Sequence, residues 1–268
     1  VWEMMGNCYG RTVAPRVWHQ TMLTYLLTAD GLGMTQSDYD PCFLYKIYPD
    51  GTRLDLGLYV DDAWCCDNAG ELAEADLQKL SSRFKIKIDN EPKHFLNMKV
   101  EIESPTRVKL SSESYILQMA DKYLPNWRNR TPLAVPATEN LQKAYDTAHE
   151  QARLGEYVAD VEMLKRYGGK VGALIYTSPC VRVDTAYAIS KCSRALTFPT
   201  AEMERCVDDI MVFLAHTASD GITFDGSVEG SDVLTCECDS DWAIGHSTTG
   251  WACYLANAPF AYSSRRQA

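Results

Sequence analysis

The amino-acid sequence predicts an α+β fold, because strand character lies on both sides of a helix-rich stretch in this chain of 268 residues. Residues 42–67 alternate apolar positions with turn signals, which predicts a run of strands. Residues 160–217 place apolar side chains at helical spacing, which predicts several successive helices. Strand character returns from residue 233 onward, in a β region that we expect to be cut off. No internal repeat or low-complexity tract breaks this order.

Two predicted helices flank the first group of strands. Pro15 suits the first turn of a helix, and Gly31 suits its end. Between them, Trp18, Met22 and Leu26 recur at helical spacing. The second helix spans residues 69–84 and has an apolar face made of Ala73, Leu77, Leu80 and Phe84. Further along, the segments 84–88 and 95–103 alternate like strands, whereas 131–138 contains two prolines and predicts an exposed connection.

Asp61 and Asp62 stand side by side inside an otherwise apolar run. Adjacent carboxylates repel each other and either one is costly to bury, so a strand interior gains no stability from them. A turn at or beside them lifts both carboxylates out of the sheet. We therefore expect a β-hairpin with strands Leu56–Val60 and Ala63–Cys66, with the two aspartates at its tip, packed on the two helices Pro15–Leu27 and Ala69–Phe84.

Two carboxylates at a hairpin tip suit Mg²⁺, which prefers oxygen ligands and is held by one or two protein carboxylates together with substrate phosphates. Metal ions paired about 3.5–4 Å apart stabilise the in-line phosphoryl displacement of polymerases. The alternative interpretation is an ordinary Asp-Asp turn. The tetrapeptide of Tyr59, Val60 and the two aspartates is a weak signal alone, and its setting between apolar strands strengthens it.

The charge of the chain argues against a general nucleic-acid binder, since the net charge is −10 and phosphate contacts need Lys and Arg. The charge is nevertheless uneven. Residues 77–130 contain eleven basic residues against six acidic ones, and residues 201–232 contain Arg205 against eight acidic ones. This distribution is compatible with a local nucleic-acid surface, and equally with solvated faces of ordinary helices and strands.

The ten cysteines show neither a CxxC pair nor zinc-ligand spacing. We expect reduced, mostly buried thiols in a cytosolic or nuclear protein. The sequence contains no run of about 18 apolar residues and its start shows no signal-peptide pattern, so we expect no membrane association.

Six blocks of the sequence, in order, resemble the reverse transcriptase of copia-type long-terminal-repeat retrotransposons. The family's Leu-Tyr-Gly-Leu-Lys-Gln-Ala-Pro-Arg-x-Trp block resembles residues 8–18, and its Tyr-Val-Asp-Asp resembles residues 59–62. Its remaining blocks resemble "HFLNMKVEI" (94–102), "SSESYILQMADKYL" (111–124), "YGGKVGALIYTSPCVRVDTAYAISKCSRAL" (167–196) and "CDSDWAIGHSTTGWACYLANAPFAYSSRRQ" (238–267).

The resemblance implies a right-hand polymerase in three parts. Residues 1–105 are expected to form a partial palm, 106–232 an α-rich thumb and connection, and 233–268 the first strands of a ribonuclease H-like domain. The implied partners in the intact protein are an RNA or DNA template–primer and deoxynucleotides, and a homo-oligomer is left open. The implied location is a cytoplasmic retrotransposon particle or the nucleus.

The resemblance also assigns roles to individual residues. Asp61 and Asp62 correspond to the catalytic carboxylates that bind Mg²⁺ or Mn²⁺, and Asp239 to the first metal-binding carboxylate of ribonuclease H. Tyr59 corresponds to the residue near the primer end. Arg16 persists from the first block and is assigned with Tyr59 to substrate binding.

The sequence also departs from the family. Thr12 and Val13 replace a Lys-Gln pair whose glutamine sits against the incoming nucleotide. A third polymerase aspartate is expected before residue 1, and further ribonuclease H acids after residue 268. Asp208 and Asp209 occupy a final thumb helix that is basic in the family, at positions that the resemblance expects to face nucleic acid.

These departures lead to expectations about activity. We expect this chain alone to be inactive in primer extension and to bind a primer–template weakly, and we expect lysines at 208 and 209 to tighten binding. The alternative is a degenerate or co-opted, non-catalytic copy that acts as an interaction module or has no function.

Overall fold

The computed structural model describes residues 12–60, 62–158, 160–241 and 247–267, and this part of the chain is a mixed α/β structure with three antiparallel sheets. The chain divides into two compact units, Val1–Glu91 and Pro92–Ala268. The α+β expectation is confirmed at this level. The division into palm, thumb with connection, and ribonuclease H-like parts stays a prediction.

The N-terminal unit contains a four-stranded antiparallel sheet. Along the sequence, one helix precedes its strands and another follows them. The strands follow the order β1-β2-β3-β4 across the sheet. Its elements are α1 (Ala14–Leu27), β1 (Thr35–Gln36), β2 (Phe43–Ile47), β3 (Arg53–Tyr59), β4 (Asp62–Asp67) and α2 (Glu71–Phe84).

Both helices of this unit contribute to one apolar core with the sheet. Leu54 and Leu56 of β3 are fully buried and belong to the same cluster as Met22 of α1 and Leu80 of α2. The alternation of β3 directs these leucines to one face, while α1 and α2 contribute residues at helical spacing. The predicted packing of the strands with both helices is confirmed. Helix α1 ends at Leu27, because Thr28 adopts an extended conformation. Gly31 follows in the connection, where a Cβ would lie 1.8 Å from the Tyr25 carbonyl oxygen.

The C-terminal unit contains two antiparallel sheets and a group of helices. One sheet has the order β5-β6-β7-β8 and the other β11-β10-β9. The elements are β5 (His94–Phe95), β6 (Met98–Ser104), β7 (Arg107–Ser111), α3 (Glu113–Tyr123), a 3₁₀ turn (Trp127–Asn129), α4 (Glu139–Arg153), α5 (Val161–Val181), a second 3₁₀ turn (Val183–Thr185), α6 (Ala186–Ser193), α7 (Ala201–His216), β8 (Gly221–Asp225), β9 (Thr235–Ser240), β10 (Thr248–Leu255) and β11 (Ala258–Arg266).

Helix α7 supplies many of the buried residues of the helical core, including Val207, Ile210 and Leu214. Its N-terminus is capped by the Thr200 hydroxyl, which accepts a hydrogen bond from the Met203 amide at 3.3 Å. Helix α5 is capped in the same way by the Asp160 carboxylate. The three helices α5, α6 and α7 confirm the prediction for residues 160–217.

The sequence analysis differs from the fold in one predicted strand and in two helices that it did not predict. The segment 84–88 forms no strand, because Phe84 ends α2 and Lys85 adopts a left-handed conformation at φ 55°. Ile86 instead packs against the N-terminal core. Helices α3 and α4 were not predicted; the buried residues of α4 are Leu141, Ala144, Tyr145 and Ala148.

The cysteines differ in part from the predicted state. Cys236 and Cys253 are joined by a disulfide between β9 and β10, so the expectation of reduced thiols is wrong for this pair. Among the described free cysteines, Cys192 and Cys206 are buried, whereas Cys66 and Cys238 are exposed. None of the described helices combines the length and apolar character needed to cross a bilayer.

Candidate functional site

The predicted hairpin around the paired aspartates is present. Strands β3 and β4 pair in antiparallel register with Tyr59 opposite Asp62, so the chain reverses direction between these two residues. Both strands are longer than predicted, at Arg53–Tyr59 and Asp62–Asp67. Asp62 is therefore the first residue of β4 rather than part of the turn itself. Asp61 lies outside the described residues.

The turn carries backbone strain beside the aspartates. Val60 has φ 53°, in the left-handed region that β-branched residues rarely occupy. Such a conformation costs on the order of 1–3 kcal/mol and persists only where the surrounding structure enforces it. Sequence inspection could not find this feature, because nothing in the local pattern requires a positive φ at a valine.

Helix α1 reaches the turn through Trp18. The indole Nε1 of Trp18 donates a hydrogen bond to the Val60 carbonyl oxygen at 3.2 Å. The Trp18 ring also packs edge-to-face with the ring of Phe84 in α2, with centroids 5.5 Å apart. The turn is thus tied to both helices. Sequence analysis named Trp18 only as part of the helical spacing, although it closes the first quoted block.

The structure places two of the predicted site residues directly opposite each other. Tyr59 and Asp62 are exposed and lie opposite each other at the end of the hairpin. Arg16 is exposed in the first turn of α1, two residues before Trp18. Asp239 lies in the other compact unit. An exposed carboxylate on a well-paired strand fits the oxygen-ligand chemistry of a hard divalent cation.

A buried carboxylate in the same unit was missed. Asp76 of α2 is 3% exposed and binds the ammonium groups of Lys46 at 2.5 Å and Lys79 at 2.9 Å. The Tyr48 hydroxyl donates to the same carboxylate at 3.1 Å. Burial favours protonation, but the hydrogen bonds from Lys46 and Lys79 outweigh it and lower the pKa of Asp76. Its helical spacing from Ala73 and Leu80 was the signal that it faces the core.

The predicted ribonuclease H carboxylate lies on β9. Asp239 and Glu237 occupy alternate positions of this strand, so they share one face of the sheet. Asp241 follows the strand and accepts a hydrogen bond from the Thr248 amide. A cavity of about 560 Å³ lies on this side, and its lining includes Tyr187 of α6 and all three acids. Within the described ranges, no three His, Cys, Asp or Glu side chains come close enough to hold a metal ion.

Asp208 and Asp209 of α7 do not lie on an open surface. Asp208 binds the Lys170 ammonium at 2.6 Å and is within 3.6 Å of the Arg130 guanidinium, and its side chain is 13% exposed. Lys170 also binds Glu204 at 3.1 Å. Asp209 is half-buried, and burial together with the charge of Asp208 raises its pKa against the effect of Arg130. The expectation that Asp208 faces nucleic acid is therefore wrong.

Arg182, a second buried cation, links the C-terminal ends of α5 and α7. Arg182 is 1% exposed, and its guanidinium binds both Asp184 oxygens at 3.0 and 2.7 Å. It also donates to the carbonyl and hydroxyl oxygens of Thr217, at 2.9 and 2.8 Å. Both Arg182 and Asp184 lie inside the fifth quoted block, where the sequence analysis assigned them no role.

The class of protein follows from comparison of the whole chain. Its homologues are retrovirus-related Pol polyproteins of Ty/copia-type transposons, at 24–29% identity over the whole chain. Their names indicate that the chain corresponds to part of a retrotransposon polyprotein. This confirms the family resemblance drawn from the six blocks.

Three relatives show the extent of the similarity. The chain is 29% identical to the Pol polyprotein from transposon RE1 of Arabidopsis thaliana, aligned over 100% of this chain and 17% of that protein. It is 26% identical to the Pol polyprotein from transposon TNT 1-94 of Nicotiana tabacum, over 100% of this chain and 20% of that protein. It is 24% identical to a putative transposon Ty5-1 protein of Saccharomyces cerevisiae, over 99% of this chain and 82% of that protein. The chain thus spans 17% and 20% of the length of the two plant polyproteins.

No family model matches the chain. No solved structure matches it either.

Proposed function

We propose that this chain is the reverse transcriptase region of a copia-type Pol polyprotein, continuing into the start of a ribonuclease H domain. In the intact protein it would transfer nucleotides from deoxynucleotides to a primer on an RNA or DNA template. The observation that supports this function best is the hairpin in which Tyr59 and Asp62 pair directly opposite each other. This is the placement that the family's Tyr-Val-Asp-Asp sequence requires if the aspartates are to reach a substrate.

The proposed roles follow from the position of each side chain. Asp61 and Asp62 would hold Mg²⁺ or Mn²⁺, and a divalent cation, when bound, supplies compensation for the charge of transferring phosphoryl groups. Tyr59 is 56% exposed, so its ring can contact the primer end. Arg16 presents an exposed guanidinium suited to a phosphate. The Trp18 and Phe84 rings keep the strained turn in place, which would preorganise the carboxylates.

The remaining parts of the proposal follow the same resemblance. Residues 1–105 would form the partial palm, 106–232 the thumb and connection, and 233–268 the ribonuclease H-like part with Asp239 as a metal ligand. The proposed partners are a template–primer, deoxynucleotides and a second copy of the chain. The proposed location is a cytoplasmic particle or the nucleus.

A degenerate or co-opted copy remains the second candidate, favoured by one observation. Val13 is 47% exposed directly before α1, at a position where the family has a glutamine that faces the nucleotide. An exposed valine cannot replace the hydrogen bonds of an amide. Asp208 no longer supports this candidate, because its carboxylate is used in internal ion pairs.

Metal binding at the hairpin tests the proposed site directly. Paramagnetic Mn²⁺ titrated into the ¹⁵N-labelled chain should broaden the amide signals of residues 59–63 first. Asp62→Asn should remove this selectivity, whereas Asp30→Asn, which changes an exposed carboxylate elsewhere in the unit, should keep it. Broadening that shows no preference for the hairpin would contradict the proposed metal site.

Catalysis is tested on the polyprotein encoded by the surrounding reading frame. Primer extension should be present in the wild type and lost in Asp62→Asn, and the chain of 268 residues alone should give no extension above background. An extension activity unchanged by Asp62→Asn would exclude the proposed role of this hairpin. A surrounding frame without an intact polymerase would favour the degenerate copy.

A further inference from the structure

Three cysteines lie on one face of the β9–β10 ladder. Cys236 is directly opposite Cys253, and Cys238 is opposite Trp251. Cys236 and Cys238 are two residues apart on β9, so both point to the face away from Glu237 and Asp239. The first two cysteines form the disulfide, with Cα atoms 4.1 Å apart, whereas Cys238 carries a free, exposed thiol.

The disulfide is accessible to solvent. All six residues of β9 are exposed, and within the described part of the chain this strand is an edge that pairs with β10 on one side. Cys236 is exposed and Cys253 is half-buried. A thiolate from solution can therefore approach Cys236 Sγ without opening the core. Cys192 and Cys206 are buried in the helical core and lack this access.

The same exposure makes the disulfide important for holding β9. A strand without buried side chains gains little from the hydrophobic effect, so backbone hydrogen bonds on one side and the disulfide attach it. The bond closes a sequence separation of 17 residues that includes Asp239 and Asp241. Breaking it should loosen the strand that presents these carboxylates, while the helical core keeps its packing.

We propose that Cys236–Cys253 is a reversible thiol-exchange site for small thiols of the glutathione class. The thiolate of the small molecule attacks Cys236 Sγ and forms a mixed disulfide, while the Cys236–Cys253 bond breaks and its electron pair stays on Cys253, which takes a proton from water. A second small thiol then attacks the mixed disulfide, releasing the oxidised small-molecule disulfide and leaving Cys236 as a thiolate that takes a proton. Two electrons pass from two small thiols to one protein disulfide.

Differential alkylation of the full chain under native conditions tests the exchange. In protein purified without reductant, iodoacetamide should label Cys238 and leave Cys236 and Cys253 linked as one peptide pair in mass spectra. After incubation with millimolar glutathione, Cys236 should become labelled while Cys192 and Cys206 stay unlabelled. In the matched control Cys238→Ser, the linked pair and its reduction by glutathione should both be unchanged.

Hydrogen exchange tests the structural consequence. Reduction should speed exchange of the β9 amides by at least about tenfold, because the loop-closure constraint is removed, and should leave α7 unchanged. Cys253→Ser should show the fast β9 exchange without any reductant. The proposal is overturned if Cys236 and Cys253 are labelled before reduction, if glutathione leaves the pair linked, or if β9 exchange does not respond.

Discussion

The indole Nε1 of Trp18 donates a hydrogen bond to the carbonyl oxygen of Val60 at 3.2 Å, which ties helix α1 to the turn beside the paired aspartates. These residues are separated by 42 positions in sequence. The link connects the first family block with the Tyr-Val-Asp-Asp block, so two motifs that are distant along the chain form one local structure.

Removing this hydrogen bond should weaken the hairpin. Trp18→Phe keeps an aromatic ring against Phe84 but has no N–H group, so we expect a loss of about 1 kcal/mol, the usual net value of one hydrogen bond. The measurement is the free energy of opening of the N-terminal unit from amide exchange. Thr24→Val serves as control, since it removes a hydroxyl that bonds only within α1, to the Gln20 carbonyl. Equal exchange of the β3 and β4 amides in the wild type and Trp18→Phe would contradict the assigned role.

The strain at Val60 should be removable. Asn tolerates the left-handed region better than a β-branched residue, so Val60→Asn should stabilise the hairpin by about 1 kcal/mol. Val60→Thr retains the β-branch and should show no such gain. Both variants are compared with the wild type by amide exchange of β3 and β4. A lower stability of Val60→Asn than of Val60→Thr would show that the turn does not strain the valine.

The buried Asp76 should make stability depend on pH. Its pKa is lower in the folded state than in the unfolded chain, so its stabilising contribution is complete above the unfolded pKa, near 3.9, and is lost as the pH falls through the folded value. Asp76→Asn should cost about 1.5–3 kcal/mol at pH 7, because hydrogen bonds to charged groups are lost. The difference from the wild type should shrink as the pH falls below about 4.

The control for this prediction is an exposed ion pair on strand β3 of the same unit. Asp55 binds Arg53 at 2.6 Å with both side chains at least one-third exposed. Asp55→Asn should therefore cost less than about 1 kcal/mol at pH 7. Urea unfolding at pH 7 and pH 3 measures both variants. A difference between Asp76→Asn and the wild type that does not change with pH would refute the assigned ionisation.

Replacing Asp208 and Asp209 by asparagine should change the stability of the chain in opposite directions. Asp208→Asn removes a charge from the pair with Lys170 and should cost about 1–3 kcal/mol. Asp209 has a raised pKa, so the stability tied to its protonated form is present at low pH and lost as the pH rises through the folded value. Asp209→Asn should thus raise the melting temperature at pH 7 and leave it unchanged at low pH.

Lysines at both positions should destabilise the chain rather than tighten nucleic-acid binding. A lysine at 208 would face Lys170 and Arg130 instead of pairing with them. A thermal melt and a binding titration at two salt concentrations distinguish the outcomes. Tighter binding by a variant with an unchanged melting temperature would restore the expectation that these residues face nucleic acid.

Arg182 should be among the least replaceable residues of the C-terminal unit. Arg182→Met keeps much of the side-chain volume but removes all four hydrogen bonds, leaving Asp184 and Thr217 without these partners, so we expect a loss of about 3 kcal/mol. Arg205→Met is the control, because Arg205 is 72% exposed in its pair with Glu202 and should cost less than about 1 kcal/mol. Similar melting temperatures for the two variants would contradict the structural role of Arg182.

The sequence by itself determined the features whose signals are local. Helical spacing located α1, α2 and α5 to α7, and two carboxylates within an apolar run located the hairpin, because periodicity and charge burial act over a few residues. Asp62 could be placed to within one position of the turn, and the family followed from six ordered blocks.

Only the tertiary structure decided which groups meet across long separations. The sequence could not pair Asp208 with Lys170, join Cys236 to Cys253 or bring Trp18 to Val60, since each partner lies on another element. It also misjudged residues 84–88, whose alternation suggests a strand although the left-handed Lys85 ends α2 there. Burial, ionisation and backbone strain at such positions depend on how whole elements pack together. A local sequence pattern does not determine this packing.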